Sequence, residues 1–198
     1  MLGFQKKQPP ARPAFVQLRD SERHPFGLLR DYVPLRSGEV RLYRAVREAV
    51  PVVDAAIYKL IRMTGGVRAE CPDKSAQKQL EEFLRTVPVG RGQFGINAFL
   101  DMYLDALLTC GRAVGEMVPL RGGRDIAALL CGRLEQVELR EGESPLDFRI
   151  CGPDEHGSMA ELPYQELLLF TPLHPEAAHP YGVSMLRGIP FMADILMK

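Results

Sequence analysis

The spacing of apolar residues changes at Gly111, and this change limits the folds that the chain can adopt. Before Gly111, apolar residues recur at steps of three and four residues, which is the spacing of amphipathic helices. After Gly111, short apolar segments alternate with glycine, proline and acidic residues, which is typical of strands joined by turns. Because helices come first and strands second, the sequence predicts an α+β fold and not a doubly wound parallel sheet.

Three helical stretches are predicted in the first half of the chain. The first covers residues 37–64, where Pro51 either kinks one helix or starts a second helix in its first turn. The second covers about residues 75–86, and its inward-facing residues are Leu80, Phe83 and Leu84. The third, residues 96–108, is the expected centre of the core, so Leu104→Ala is expected to cost roughly 2–5 kcal/mol. Its apolar stripe consists of Ile96, Phe99, Leu100, Tyr103, Leu104, Leu107 and Leu108.

Five strand segments are predicted after the third helix: AVGEMVP, IAALLC, QVELR, DFRIC and ELLLF. The candidate turns between them lie at Gly122 with Gly123, at Gly142, and at Pro153 with Asp154. Two segments before the third helix, VRAEC and PVGRGQFG, are interpreted as an extended piece and a loop. These elements predict one α+β domain over residues 37–183, in which the helices pack on a mostly antiparallel sheet.

The two ends of the chain are interpreted separately. Residues 1–36 contain five prolines and no sustained apolar period, so we expect an irregular Pro- and Arg-rich arm that needs a partner surface to become ordered. Residues 184–198 are expected to start a further helix with Ser184 as its N-cap. No stop signal follows this helix, and its apolar residues predict an uncovered patch and concentration-dependent self-association. These residues are Met185, Ile189, Met192, Ile195, Leu196 and Met197.

Charge is balanced over the whole chain but divided unevenly along it. The chain has 25 Lys and Arg residues and 25 Asp and Glu residues. Residues 1–100 carry 17 basic and 10 acidic residues, whereas residues 101–198 carry 8 basic and 15 acidic residues. This division suggests an oriented contact with neighbouring copies or with a polyanion, or else two solvated faces of different charge.

The sequence has no sign of a membrane span, an export signal or a cysteine-based metal motif. Its longest apolar runs, at residues 127–131 and 167–170, are far shorter than the roughly 20 residues needed to cross a bilayer. The N-terminal MLGFQKKQPP lacks the apolar stretch of a signal peptide, so no export is expected. No CxxC motif occurs among the cysteines, so a zinc ribbon and a thioredoxin-like motif are excluded. Their even number allows disulfides, but reduced buried thiols are expected for a protein of the cytosol. The four cysteines are Cys71, Cys110, Cys131 and Cys151.

The candidate ligand-binding motifs are weak. The glycine clusters TGGVR, GRGQFG and RGGRD lack the spacing of a phosphate-binding loop and are interpreted as turns. His174 and His179, with Glu176 between them, are flanked by prolines, which indicates a surface turn in preference to a metal site. The chain has no helix-turn-helix signature and no tryptophan, and the Arg-rich first half offers only unspecific contact with phosphates. DNA-binding residues are therefore left unassigned.

The candidate catalytic residues are equally weak. Cys110 lies at the end of the most apolar helix, where burial is expected to keep the thiol protonated and inert. Asp101 and Asp105 lie one turn apart on the polar side of the same helix and are expected to be solvated. No catalytic, cofactor-binding or metal-binding residue is predicted, and the chain is expected not to be an enzyme.

Four longer segments follow one another along residues 40–198. The first is the helix LYRAVREAVPVVDAAIYKLIRMTGGVRAE, and the second is GINAFLDMYLDALLTCGRAVGEMV, in which TCGRAVGE leads from helix to strand. The third is a strand region that ends in ELPYQELLLFTPLHP, and the fourth is HPYGVSMLRGIPFM at the entry to a helix. In this order they resemble the N-terminal half of tailed-bacteriophage portal proteins, although Arg112 stands where that family often has asparagine.

This resemblance implies a structural role in a virion. Portal proteins form a ring, usually of twelve subunits, at the capsid vertex through which DNA is packaged and ejected. The implied partners are other portal subunits, terminase, the major capsid or scaffolding protein, head-completion proteins and, non-specifically, double-stranded DNA. No cofactor and no membrane is implied. The implied location is the portal vertex of the virion, and the bacterial cytoplasm before assembly.

The resemblance covers the wing region of a portal and stops before the channel-lining stem, the clip and the crown. We therefore expect a decayed prophage product or an incomplete portal, whose closed ring fails to form without those parts. Two other classes stay open on the residues alone. One is a stand-alone intracellular α+β domain that binds a ligand, and the other is a small thiol hydrolase that acts through Cys110.

Overall fold

The computed structural model describes residues 15–18, 37–122, 125–142, 147–154 and 156–190. Within these residues there are four α-helices and a set of short strands that pair only in the antiparallel sense. The predicted α+β class is therefore confirmed. A two-stranded hairpin separates the third helix from the fourth, and the two larger sheets are built from strands after Gly111.

The first helical stretch is two helices, α1 (Ser37–Ala49) and α2 (Pro51–Thr64). Pro51 lacks an N–H and occupies the first helical position, where that group has no partner within the helix. Val50 between them has an extended backbone, with φ of −123° and ψ of 90°. Of the two alternatives for Pro51, a new helix is therefore correct and a kinked single helix is wrong.

The second predicted helix is α3 (Lys74–Thr86), and its start is capped by a side chain. The Oδ1 atom of Asp73 accepts hydrogen bonds from the backbone N–H groups of Ser75 and Ala76, at 2.7 and 2.8 Å. The segment PVGRGQFG, predicted as a loop, is in fact a short hairpin of β1 (Pro88–Gly90) and β2 (Gln93–Phe94). These strands are too short to show the alternating pattern that marks a strand in sequence.

The third predicted helix is α4 (Ile96–Cys110), and it ends at Gly111 in a left-handed conformation with φ of 78°. Phe99 and Tyr103 are buried at 4% and 8% exposure, whereas Leu104 and the other members of the predicted stripe are half-buried. The stripe is shared between two neighbours: one side meets the sheet and the other side meets α1 and α2. The central place of α4 in the core is confirmed, but fewer residues of the predicted stripe are fully buried than expected.

Two three-stranded antiparallel sheets follow α4. The first has β3 (Arg112–Pro119) at its centre, between β4 (Ile126–Cys131) and β8 (Leu168–Pro172). The second has β6 (Phe148–Pro153) at its centre, between β5 (Glu138–Glu141) and β7 (Met159–Glu161). All five predicted strand segments contain a strand. The first residues of QVELR and ELLLF differ, because they complete 3-10 turns at Leu134–Gln136 and Gln165–Leu167.

The central strand β3 is covered on both faces. Helix α4 crosses one face at Gly115, where an added Cβ would lie 3.1 Å from Phe99 and 3.2 Å from Tyr103. The hydroxyl of Tyr103 also lies 3.3 Å from the carbonyl oxygen of Ala113, to which it donates. Because side chains alternate along a strand, Val114 points to the opposite face. There it joins a cluster with α1 and the second sheet, formed by Val40, Cys110, Val114, Leu134, Leu139, Ile150, Leu162 and Leu168.

The helix predicted from Ser184 begins later than expected. Residues 185–188 form turns, and helical backbone starts at Ile189. The N–H groups of Arg187 and Ile189 bond to carbonyls three residues back, at 3.2 and 3.0 Å, and Met185 donates to Leu108 on α4. These bonds replace the first α-helical turn, so the predicted start is wrong. Of the predicted apolar patch, Met185 is exposed and Ile189 half-buried, while residues 191–198 lie outside the described part.

Candidate functional site

Two distant backbone segments meet at Gly111 and Gly182. A Cβ atom on Gly111 would overlap the backbone of Val183 and Ser184, and a Cβ atom on Gly182 would overlap the carbonyl oxygen of Gly111. Both glycines also have positive φ angles, of 78° and 102°. Only glycine combines this conformation with so close a backbone approach. We call these residues, with the bonds around them, the glycine junction.

The glycine junction satisfies backbone carbonyls at the C-terminus of α4. Ser184 donates its hydroxyl to the carbonyl of Thr109 at 2.6 Å, and Leu173 donates its N–H to the carbonyl of Gly111 at 2.8 Å. The Ser184 hydroxyl also accepts from the N–H of Leu186 at 2.9 Å. The last carbonyls of a helix have no partner within it, and these hydrogen bonds supply partners for two carbonyls at the end of α4. The segments TCGRAVGE and HPYGVS are therefore in direct contact at this point.

A second polar centre lies between α1, α2 and α4, around Arg47. Its guanidinium donates to Asp105 at 2.6 Å, to Thr109 at 2.8 Å and to Asp54 at 2.9 Å, and it lies 5.4 Å from the ring centre of Tyr58. The Arg47 side chain is only 10% exposed. Burial lowers the pKa of Arg47, but the two carboxylates outweigh it and raise the pKa above the ordinary value.

We expect Arg47→Ala to lower the free energy of unfolding by about 2–3 kcal/mol. Removal of one partner from a buried ion pair costs more, about 3–5 kcal/mol, but Asp54 and Asp105 are 40% and 42% exposed and can be rehydrated. Urea unfolding would measure the change. The matched control is Arg85→Ala, since Arg85 pairs with Glu82 on the surface and should leave the unfolding midpoint almost unchanged. If Arg47→Ala and Arg85→Ala changed the unfolding midpoint equally, the polar centre around Arg47 would stabilise the fold no more than a surface ion pair does.

A third polar centre is the carboxylate of Glu116 on β3, whose side chain is completely buried. Its two oxygens accept hydrogen bonds from the backbone N–H groups of Gln17 and Leu18, each at 2.7 Å. Burial raises the pKa of Glu116, and the donors from Leu18 and Gln17 partly offset this shift. The arm was predicted to need a partner surface before it becomes ordered. The four described arm residues find that surface on their own domain.

The predicted histidine pair is a surface turn, as expected. Glu176 and His179 exchange backbone hydrogen bonds of 3.2 and 2.9 Å, and His174 has a positive φ of 44°. The Glu176 carboxylate accepts from Arg187 at 2.9 Å. Over the described residues, no group of three His, Cys, Asp or Glu side chains is arranged to hold a metal ion.

The four cysteines are unpaired thiols, as predicted, but only Cys110 and Cys151 are buried, whereas Cys71 and Cys131 are half-buried. Burial raises the pKa of Cys110 to about 11 and that of Cys131 to about 12. The charged groups that act on Cys110 are Arg44, Glu135 and Arg112, and their effects are smaller than that of burial. A hydrolase nucleophile needs a lowered thiol pKa, so both shifts have the wrong direction for that role.

We expect Cys110 and Cys131 to resist iodoacetamide in the folded protein at pH 8. At that pH both thiols are protonated, and the thiolate is the form that reacts. Mass spectrometry of tryptic peptides would measure the labelled fraction, with protein unfolded in urea as the control in which both residues react. Rapid labelling of folded Cys110 would revive the hydrolase interpretation.

The other predicted candidates have structural surroundings. Asp101 is exposed, but Asp105 binds Arg47, so its description as a merely solvated carboxylate is wrong. Of the described glycines in the three clusters, Gly92 and Gly122 lie in turns, as predicted, and Gly65 and Gly95 flank the ends of α2 and α4. Gly90 is instead the last residue of strand β1. Gly123 and Arg124 lie outside the described residues. Among the described helices, none is both long and apolar enough to cross a membrane.

Sequence reasoning missed the polar centres at Arg47 and Glu116. Both have a signal that is visible in retrospect. Glu116 is the single acidic residue in an apolar strand, on the same face as Val114 and Val118. Arg47 occurs one turn after the apolar Tyr43, close to the side of α1 that faces the core.

No protein-family model matches the chain, and a search of curated proteins finds no match.

Proposed function

We propose that the chain is a structural subunit of a bacteriophage portal, corresponding to much of its wing region. The observation that supports this best is the glycine junction. TCGRAVGE and HPYGVS, two of the four segments that resemble portal proteins, lie about 70 residues apart in sequence and yet contact each other through Gly111 and Gly182. Both positions require glycine for the same close contact, so the two weak similarities reflect one structural feature.

An exposed, partly apolar face of α2 is the second support. Helix α2 buries Ile57 and Ile61 on one side, whereas Val52 and Met63 on the other side are 73% and 71% exposed. Val52, Ala56 and Met63 recur at steps of four and seven residues and therefore share one helix face, on which the exposed Lys59 also lies. We call these three residues the α2 face. Exposed apolar helix faces of this kind mark contact with another protein more often than a catalytic role.

The proposed partners and location follow from the portal assignment. Within a complete portal, a region of this kind would contact other subunits in a ring, terminase, the major capsid or scaffolding protein and head-completion proteins, and it would meet double-stranded DNA without sequence preference. It would occur at the portal vertex of the virion after assembly in the bacterial cytoplasm. In this role the protein hydrolyses nothing, and the ATP chemistry of packaging belongs to terminase.

The experiment that tests an interaction role is sedimentation velocity over a series of protein concentrations. We expect the wild-type chain to associate as concentration rises, and Val52→Ser/Met63→Ser to associate much less, since two exposed apolar side chains are lost from the α2 face. Leu42→Ser is the control, because it removes a 47% exposed apolar residue from α1 instead. A wild-type chain that stays monomeric at every concentration would contradict an interaction role for this face.

A further inference from the structure

The apolar side of α2 is wider than the surface that covers it. Because an α-helix turns by about 100° per residue, the apolar residues of α2 occupy one continuous sector of about half its circumference. In order around the helix axis, this sector consists of Ile61, Ile57, Val53, Leu60, Ala56, Met63 and Val52. Its first part is buried or half-buried, whereas the α2 face at its other end stays exposed in the described part of the chain.

The described part of the chain ends beside this apolar sector. Ile189 is half-buried and packs against the buried cluster around Ile57. Val53 packs against the same cluster and adjoins the α2 face on the helix surface. Helical backbone starts at Ile189 and continues to Pro190. Residues 191–198, which lie outside the described residues, therefore follow from a point next to the covered part of the sector.

The sequence of residues 191–198, FMADILMK, has the pattern of a complementary helix. In a helix its apolar residues Phe191, Met192, Ile195 and Leu196 share one side, since they are one, four and five positions apart. Eight helical residues span about 12 Å, and the α2 face extends over about 16 Å. The segment is therefore long enough to cover most of the α2 face with a continuous apolar side.

The charges at the edges of the two surfaces are also complementary. Lys59 lies at the edge of the α2 face, is exposed, and forms no ion pair with another described residue. In a helix over residues 191–198, Asp194 would lie at the edge of the apolar side. An exposed pair of this kind contributes little affinity, but it favours one orientation of the segment.

We propose that residues 191–198 pack on the α2 face of their own chain and so compete with the partner that this face binds. The anchored Ile189 gives the contact within one chain a high effective concentration. The cover itself is independent of the proposed function, whereas the competition rests on the role proposed above for the α2 face. A partner would bind with an affinity reduced in proportion to the time that the face is free.

The cover is tested by oxidation of Met63 with hydrogen peroxide, at a concentration at which sedimentation shows a monomer. Without a cover, Met63 is 71% exposed and should oxidise at least as fast as Met185, which is 51% exposed. If the face is free for about a third of the time, Met63 should oxidise about threefold more slowly than Met185. Mass spectrometry of tryptic peptides would measure both rates. Equal rates in the wild-type chain would overturn the proposal.

A pair of segment variants tests whether residues 191–198 provide the cover. Phe191→Ser/Ile195→Ser removes two side chains from the apolar side and should raise the rate of Met63 oxidation about threefold. The matched control is Ala193→Ser/Met197→Ser, which changes two apolar residues on the opposite side of the helix and should leave the rate unchanged. Circular dichroism would verify folding of each variant. Equal rates in the two variants would show that the apolar side does not cover Met63.

Sedimentation velocity distinguishes this inference from the proposed function. Phe191→Ser/Ile195→Ser should associate at about threefold lower concentration than the wild-type chain, because its α2 face is free for longer. Weaker association of this variant would show that the segment is itself the apolar contact surface, and the proposal would be wrong. A protected Met63 in a chain whose association ignores Val52→Ser/Met63→Ser would contradict the proposed function and not the cover.

Discussion

Gly111→Ala is expected to lower the free energy of unfolding by about 2–5 kcal/mol. A non-glycine residue in the left-handed conformation costs about 1–2 kcal/mol, and Gly111 has φ of 78°. The added Cβ would also overlap the backbone of Val183 and Ser184, and such overpacking costs about 1–3 kcal/mol more. The overlapping atoms are backbone, so no side-chain rotation can relieve the clash. Urea unfolding followed by circular dichroism would measure the loss.

Gly92→Ala is the control for this prediction. Gly92, in the turn between β1 and β2, has φ of 71°, close to that of Gly111, and no atom lies within 4 Å of an added Cβ. It therefore tests the cost of the positive φ without a close contact, and we expect a loss of about 1–2 kcal/mol. The difference between the two variants measures the close approach at the glycine junction. Equal losses in both variants would show that the junction is looser than described.

Phe99→Ala is expected to cost about 3–5 kcal/mol, because it leaves a large cavity between α4 and β3. Phe99 is 4% exposed, stacks on Tyr103 with ring centroids 5.4 Å apart, and contacts the strand at Gly115. Urea unfolding with a linear extrapolation to water would give the change. The control is Phe94→Ala on the nearby hairpin, since Phe94 is 60% exposed and should change stability by at most about 0.5 kcal/mol.

This prediction replaces the expectation for Leu104. The sequence placed Leu104 in the middle of the apolar stripe, and its removal was expected to cost as much as that of a fully buried leucine. Leu104 is half-buried and packs with Ile57, Ile61 and Leu186. We therefore expect Leu104→Ala to lower the free energy of unfolding by less than Phe99→Ala does. Periodicity shows which side of a helix faces inward, but the depth of each residue depends on the neighbour that covers it.

Elements with long apolar patterns could be predicted from sequence, and very short ones could not. Helix α4 has 15 residues with a continuous stripe and a glycine just past its end, and the predicted range 96–108 has the correct start and stops two residues before Cys110. Strands β2 and β7 have two and three residues, and an alternating apolar pattern needs at least four residues to be recognised. The start of the last helix was misplaced because residues 185–188 form turns, in which the Met185 N–H bonds to Leu108 on α4, an interaction that no local pattern contains.

The polar centres could not be predicted because they join residues that are distant in sequence. Arg47 and Asp105 are 58 residues apart, and Gln17 and Glu116 are 99 residues apart. A pattern within one segment predicts only that each of these polar side chains faces solvent. Only the packing of α1 on α4, and of the arm on β3, gives them partners. The glycine junction is similar, since the motif glycines looked like separate turns until the fold brought them together.

The most direct test of the portal proposal is immunogold electron microscopy of phage particles from the cells that make this protein. An antibody against the exposed hairpin, residues 88–94, would be raised and checked on the purified chain. The account predicts gold at a single vertex of each capsid, on emptied and opened particles in which that vertex is accessible. Label spread over the whole capsid, or label confined to cell fractions without particles, would contradict it.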